Sequence, residues 1–207
     1  MNKLHVGAFY TEETPYEGVI RDYLIPSCEK LGIIPNIVTT RNQGSWLKNV
    51  AEKPRAIVTL LQKCCKERED ILLFLDADST LEAYPTEIAD LPDEYELGYH
   101  TLNWNQWYGY NHVPCVKELL TGTMIFRNTA NIQALCQEWY ELAKTTPIWE
   151  QKVLAQIISK YSQIKTYHLG IEYCYMTSLP DGREPRVQCQ PVVKHYQASR
   201  TLKREIL

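Results

Sequence analysis

Ile71-Leu72-Leu73-Phe74-Leu75-Asp76-Ala77-Asp78 is the stretch on which the reading of this chain turns. Five consecutive apolar residues are too few for a helix and suit a strand buried on both faces, so two carboxylates emerge together where the strand leaves the core. Positions i and i+2 of a strand point the same way, so the pair is expected to share one face about 6.6 Å apart and to repel by roughly 2.5 kcal/mol at an effective dielectric near 20. A divalent cation would reverse that sign, which points to Mg²⁺ or Mn²⁺ and to a phosphorylated ligand held with it. The plainer reading of the same residues is an exit loop, where Asp solvates the chain and starts turns. Position favours the site, because ligands of open α/β sheets sit beyond the carboxyl ends of the strands.

Outward from this stretch, Leu4 to Tyr10 reads as a first strand and Tyr16 to Leu31 as a helix that Pro26 kinks or breaks. Ile33 to Thr39 reads as a second strand, followed by the polar loop Asn42-Gln43-Gly44-Ser45. Pro54 suits the first turn of the helix running through Ile57, Leu60, Leu61 and Cys64. Strand, helix, strand, helix, strand at this spacing predicts a parallel sheet with right-handed crossovers. Neither G-x-G-x-x-G nor a P-loop is present, so any nucleotide is held by other means.

Further along, Tyr95 to Leu102 and Leu119 to Arg127 read as strands around an aromatic, polar loop from Asn103 to Pro114. Its Trp104, Trp107, Tyr108 and Tyr110 either stack on a sugar or base, or fold back over the core. Asn128 to Lys144 and Trp149 to Tyr161 carry helical apolar stripes, and Ile164 to Leu169 reads as a last strand before an irregular tail.

The 207 residues, 44% hydrophobic and 23% charged, fit one substantial domain. A net charge of −3 gives no field for wholesale binding of nucleic acid or an acidic membrane surface. The 7 cysteines form no C-x-x-C pair and no zinc-like spacing. With no apolar signal segment and no long apolar run, a cytoplasmic setting is the expectation, the host cytoplasm if the source is viral.

Taken in order, the acid-bearing strand, Leu120-Thr121-Gly122-Thr123-Met124-Ile125-Phe126-Arg127-Asn128, Trp149-Glu150-Gln151, and His195 with Arg200 behind it resemble the GT-A class of nucleotide-sugar glycosyltransferases. The ending His195-Tyr196-Gln197-Ala198-Ser199-Arg200 is also similar to small glycosyltransferase-like proteins of phages. The resemblance implies an α/β fold, a single Rossmann-like GT-A domain over 1–207 with a mostly parallel central sheet flanked by helices. It also implies metal-dependent transfer of a sugar from a nucleotide-diphosphate donor, UDP-sugars among the candidates, to an unidentified acceptor that includes a hydroxylated DNA base. Mn²⁺ or Mg²⁺ would then rest on Asp76 and Asp78, with His195 completing the shell. Donor contacts would come from Phe9, Tyr10, Thr11, Arg55, Asp76, Ala77, Gly122, Thr123, Arg200 and Lys203. Glu150 and Gln151 would lie beside the reacting sugar, and Trp104 and Trp107 would meet the acceptor.

Two other classes fit the opening motif. Leu72 to Thr80 also resembles the first motif of haloacid-dehalogenase-type phosphatases, which would need further aspartates behind later strands, from among Asp90, Asp93 and Asp181. The second is a non-catalytic sugar- or nucleotide-binding module whose acid pair holds a structural ion.

Overall fold

A computed structural model describes residues 3–108, 117–179, 182 and 184–202. All five residues of β3 (Ile71–Leu75) are buried, and its alternating side chains serve two different cores. Leu72 and Phe74 pack against helices α4 (Lys53–Cys64), α7 (Ala130–Thr145) and α8 (Glu150–Ile157). Ile71, Leu73 and Leu75 face α1 (Tyr16–Asp22), α2 (Leu24–Lys30) and α5 (Thr86–Ala89) on the other side.

The remaining strands of this sheet are β1 (Leu4–Thr11), β2 (Asn36–Thr40), β5 (Leu97–Asn103), β6 (Lys117–Phe126) and β7 (Thr166–His168). Their order is β2-β1-β3-β6-β5-β7. Only β6 runs against its neighbours, so the sheet is mostly parallel, as expected. A smaller sheet, with the order β4-β9-β8, joins β4 (Ser79–Leu81), β8 (Tyr175–Met176) and β9 (Val193–His195). Through it the late chain returns beside the acid pair, with Ser79 opposite His195.

Three local features differ from the sequence expectations. The break between α1 and α2 falls at Tyr23, which leaves Pro26 in the first turn of α2, where its missing N–H and its ring do no harm. Short helices occur at α3 (Trp46–Val50), a segment given no element in the sequence reading and capped by the Ser45 hydroxyl, and at α6 (Trp104–Tyr108), inside the segment read as loop. The acid pair does not continue the strand. Ser79 N–H and its hydroxyl both donate to the Asp76 carbonyl, at 3.1 and 2.7 Å, so Asp76 to Ser79 form a turn.

Strand β6 carries a local irregularity that matters for the site. Tyr99 pairs with Met124, but the next residue of β5, His100, pairs with Leu120. Thr121, Gly122 and Thr123 therefore bulge away from β5 toward the end of β3, where Asp76 N–H donates to the Gly122 carbonyl at 2.8 Å.

Candidate active site

The bulge, the acid turn and the returning C-terminal segment meet in a cleft of about 1030 Å³ at the carboxyl ends of β1 and β3. Asp78 is buried, and its Oδ2 accepts from Ala198 N–H at 2.7 Å. Burial, and then the nearby charge of Asp76, push its pKa above the ordinary carboxylate range. His195 is buried beside it, with Nε2 2.8 Å from the Thr123 hydroxyl. Burial lowers the His195 pKa despite the opposing pull of Asp78 and Asp76, so the ring is neutral near pH 7.

Between Asp76 and His195 stands Gly122. A Cβ there would lie 2.9 Å from His195 Cε1 and 3.3 Å from Asp76 Oδ2, so only glycine lets all three converge.

A residue that sequence reasoning passed over sits at the centre. Lys53 Nζ lies 2.9 Å from Asp76 Oδ1 and 2.8 Å from Glu150 Oε1, and donates to the Thr121 carbonyl and hydroxyl at 3.3 and 3.2 Å. Burial alone would pull its pKa down, but Asp76 and Glu150 outweigh that and raise it, so the ammonium stays charged. Arg55, the basic residue expected here, is not among the lining groups. It is two positions on from Lys53, about 200° around the helix, with its exposed guanidinium on Glu52 at 3.4 Å. One signal in the sequence pointed to Lys53: a cation in the first turn of a helix opposes the helix dipole unless anions face it.

The other expected residues divide. Phe9, Tyr10, Thr11, Ala77 and Thr123 all line the cleft, Phe9 also packing on Phe74 with ring centroids 6.3 Å apart. Glu150 is buried, ion-paired to Lys53 and accepting from the Thr121 hydroxyl at 2.9 Å. Gln151 accepts from Thr121 N–H at 3.2 Å and donates to Glu118 at 2.7 Å. Arg200 lines the cleft with one guanidinium nitrogen on the Ser178 carbonyl at 2.9 Å, and Lys203 lies outside the described residues.

Trp104 lines the cleft, but Trp107 does not. Trp107 is buried among Leu102, Met176 and Leu179, so it is core rather than an acceptor contact. Tyr110 lies outside the described residues.

A dication's fit rests on the donor set. Asp76 and Asp78 supply the hard oxygens that Mg²⁺ or Mn²⁺ prefers, and burial, then the charge of Asp76, disfavours the charged form of Asp78, which a bound cation would offset. Among the described residues, however, no three His, Cys, Asp or Glu side chains are grouped to hold a metal. His195 is not brought into a three-residue set with the aspartates; its Nε2 is engaged by Thr123. The residues present thus fit an ion held by the two aspartates and completed by ligand oxygens.

Solved structures share this fold. A glycosyltransferase involved in glycosylation of the major capsid of PBCV-1 superposes with a TM-score of 0.68 at 12% identity, covering 98% of both chains. Mouse xyloside xylosyltransferase 1 gives 0.52 at 8% identity, over 96% of this chain and 99% of that one. The bifunctional glycosyltransferase WbbM gives 0.57 at 13% identity, over 94% of this chain and 46% of that one. No protein-family model and no curated protein matches the sequence. The architecture is therefore the GT-A-like α/β fold that the ordered motifs led us to expect. Among the described residues, no helix is long and apolar enough to cross a membrane.

Proposed function

We propose that this chain is a single-domain glycosyltransferase that moves a sugar from a nucleotide-diphosphate donor, bound with Mn²⁺ or Mg²⁺ at Asp76 and Asp78, to an acceptor hydroxyl. The observation that carries this reading is the charge arrangement in the cleft: two carboxylates at the sheet's carboxyl edge, one of them buried, beside a buried ammonium.

In the transfer, the bond from the anomeric carbon to the diphosphate oxygen breaks and its electron pair leaves with the diphosphate. The acceptor oxygen bonds to that carbon and its proton is released to solvent. A bound dication supplies electrostatic stabilisation of the departing diphosphate. Lys53 holds the Asp76 and Glu150 carboxylates in place, so neither needs to reorganise as charge develops. Phe9, Tyr10 and Thr11 offer the nucleoside a wall at the end of β1. The absent side chain at Gly122 lets Asp76 and His195 draw in against the backbone, which builds the donor end of the cleft tightly. Arg200, on helix α9 (Ser199–Leu202), lines the same cleft and is the cation assigned here to the diphosphate.

Among the described residues the phosphatase alternative finds no further aspartates behind later strands at the cleft, since Asp90 and Asp93 do not line it. Asp181 lies outside the described residues. Release of nucleoside diphosphate from a panel of nucleotide sugars, with Mn²⁺ and with chelator, tests the proposal. Turnover should require the metal, and Asp78→Ala should lower it by about 100-fold or more with the thermal melt retained. Metal-dependent release by Asp78→Ala at the wild-type rate would remove Asp78 from the site. Phosphate release from simple esters would favour the phosphatase, and binding without turnover a non-catalytic module.

A further inference from the structure

Four carboxylates line the cleft, and three of them are accounted for. Asp76 and Glu150 share Lys53 as an ion-pair partner, and Asp78 is buried beneath the returning C-terminal segment. The fourth, Glu118, is half-buried and has no ion-pair partner among the described residues.

Two neutral donors fix it instead. Trp104 Nε1–H donates to Oε2 at 2.7 Å, and Gln151 Nε2–H to Oε1 at 2.7 Å. Each oxygen is thereby oriented yet keeps lone-pair capacity, and an ionised carboxylate of this kind is a strong acceptor for hydroxyl groups. Trp104 is itself held in place. Asn103 caps the first turn of α6 by accepting from Asn105 and Gln106 N–H, at 3.1 and 3.3 Å, and the indole packs on the small core around Trp107.

We infer that Trp104, Glu118 and Gln151 form the acceptor subsite, and that the acceptor is a neutral glycan whose ring lies on the indole while its hydroxyls donate to Glu118. This rests on the glycosyltransferase reading, and deepens it by naming the acceptor's chemistry. An indole face, a charged acceptor and an amide are groups that recognise C–H faces and hydroxyls. A phosphate-rich acceptor such as DNA would instead set its charges against a carboxylate that no cation offsets. The cleft does carry Lys117 and Lys152, but both are exposed and screened by solvent.

The subsite is tied to the donor side without a break. Gln151 accepts from Thr121 N–H, and the Thr121 hydroxyl donates to Glu150, the partner of Lys53. An acceptor bound at Glu118 is therefore registered against the same bulge that meets the acid turn.

The experiment titrates neutral methyl glycosides, and separately a short DNA duplex, into protein loaded with Mn²⁺ and whichever nucleoside diphosphate gives the largest thermal shift, reading tryptophan fluorescence. Wild-type protein should bind at least one glycoside and no DNA. Glu118→Gln, which turns one acceptor oxygen into a donor facing another donor, should raise the glycoside Kd by about tenfold to a hundredfold. Its nucleoside-diphosphate Kd should stay within about twofold. Trp104→Phe keeps a ring and deletes the N–H, so its loss should be smaller. Should Glu118→Gln fail to fold, Glu118→Asp keeps the charge, shortens its reach, and should weaken glycoside binding in the same direction. Duplex binding without glycoside binding, no glycoside binding at all, or Glu118 variants with wild-type glycoside affinity would each overturn the inference. Glu118-dependent glycoside binding with no nucleoside diphosphate bound would sink the glycosyltransferase reading and leave this subsite standing.

Discussion

Lys53 and Arg127 are both cations buried against strand β6, and they are buried by opposite means. Arg127, just past the end of β6, donates to the carbonyls of Tyr95, Glu69 and Leu91 at 3.0, 2.6 and 2.8 Å, with Asp93 at 3.4 Å as an exposed counter-ion. Lys53 meets two carboxylates of the cleft. Burial pulls both pKa values down; two close carboxylates reverse that for Lys53, whereas Arg127 stays lowered. Carbonyls fixed in the backbone act as a permanent substitute for water, so Arg127 clasps three segments of chain together. Carboxylates lining an open cleft can exchange partners with an incoming ligand, so the Lys53 end is where binding can be coupled to charge. One cation is a structural clasp and the other belongs to a site.

Arg127→Met gives the largest expected effect. It would leave the buried carbonyl of Leu91 and the part-buried carbonyls of Tyr95 and Glu69 without this donor, at about 1–3 kcal/mol for the first and less for the others, for a loss of about 3–5 kcal/mol once the lost packing is added. For a chain of this size that lowers Tm by on the order of 10 °C, while turnover per folded molecule stays within about twofold. A large loss of turnover at unchanged Tm would break the contrast.

Lys53→Met should do the reverse. Turnover falls by about 100- to 1,000-fold, as for loss of one preorganised electrostatic partner. Its effect on stability acquires a sign that Arg127→Met lacks. With the ammonium gone, Asp76 and Glu150 face each other uncompensated, and their folded pKa values rise above the unfolded ones. The folded variant then binds more protons than the unfolded chain, so its stability grows as pH falls and is lost as pH rises through the folded values. Thermal melts between about pH 5 and pH 8 check the sign. A Lys53→Met melt that is flat with pH would place Asp76 and Glu150 farther apart than their shared partner implies.

The same two residues show how far the sequence could be read. The buried strand, the acids at its end, the mostly parallel sheet and the helical stripes all follow from local periodicity, and all stand in the fold. Lys53 was hidden because its partners are 23 and 97 positions away, at Asp76 and Glu150, and no local pattern encodes such convergence. Arg55 carried an equally basic side chain on the wrong face of the same helix. Trp104 and Trp107 were alike by composition; only the α6 turn, set by the Asn103 cap, sends one to the cleft and the other to the core. Glu118 gave no signal, since its meaning comes from the indole and amide that orient it. The three-residue bulge at Thr121 to Thr123 is likewise a tertiary fact, although Gly122 marked a close backbone approach.

The smallest prediction probes the clasp end. Asp70 accepts from Lys66 and Glu67 N–H at 2.8 and 3.0 Å, and its other oxygen lies 3.9 Å from His5 Nε2, a buried nitrogen with no hydrogen-bond partner among the described residues. Burial lowers the His5 pKa below its ordinary 6.5, and Asp70 only partly opposes this. Below pH 6.5 the unfolded chain therefore takes up a proton at His5 more readily than the folded one, and stability is lost as pH falls through that value. His5→Phe removes the titrating group, so its Tm should decline less than wild type between about pH 7 and pH 5.5. The difference should stay within about 2–4 °C, the span of one kcal/mol in a chain of this size. The sign also separates the two ends of the sheet: acid costs the wild-type clasp stability here, whereas it restores stability to a cleft that has lost Lys53. Parallel slopes in His5→Phe and wild type would mean that Asp70 holds the protonated ring as well as the neutral one. The clasp would then contain a working ion pair rather than a purely neutral contact.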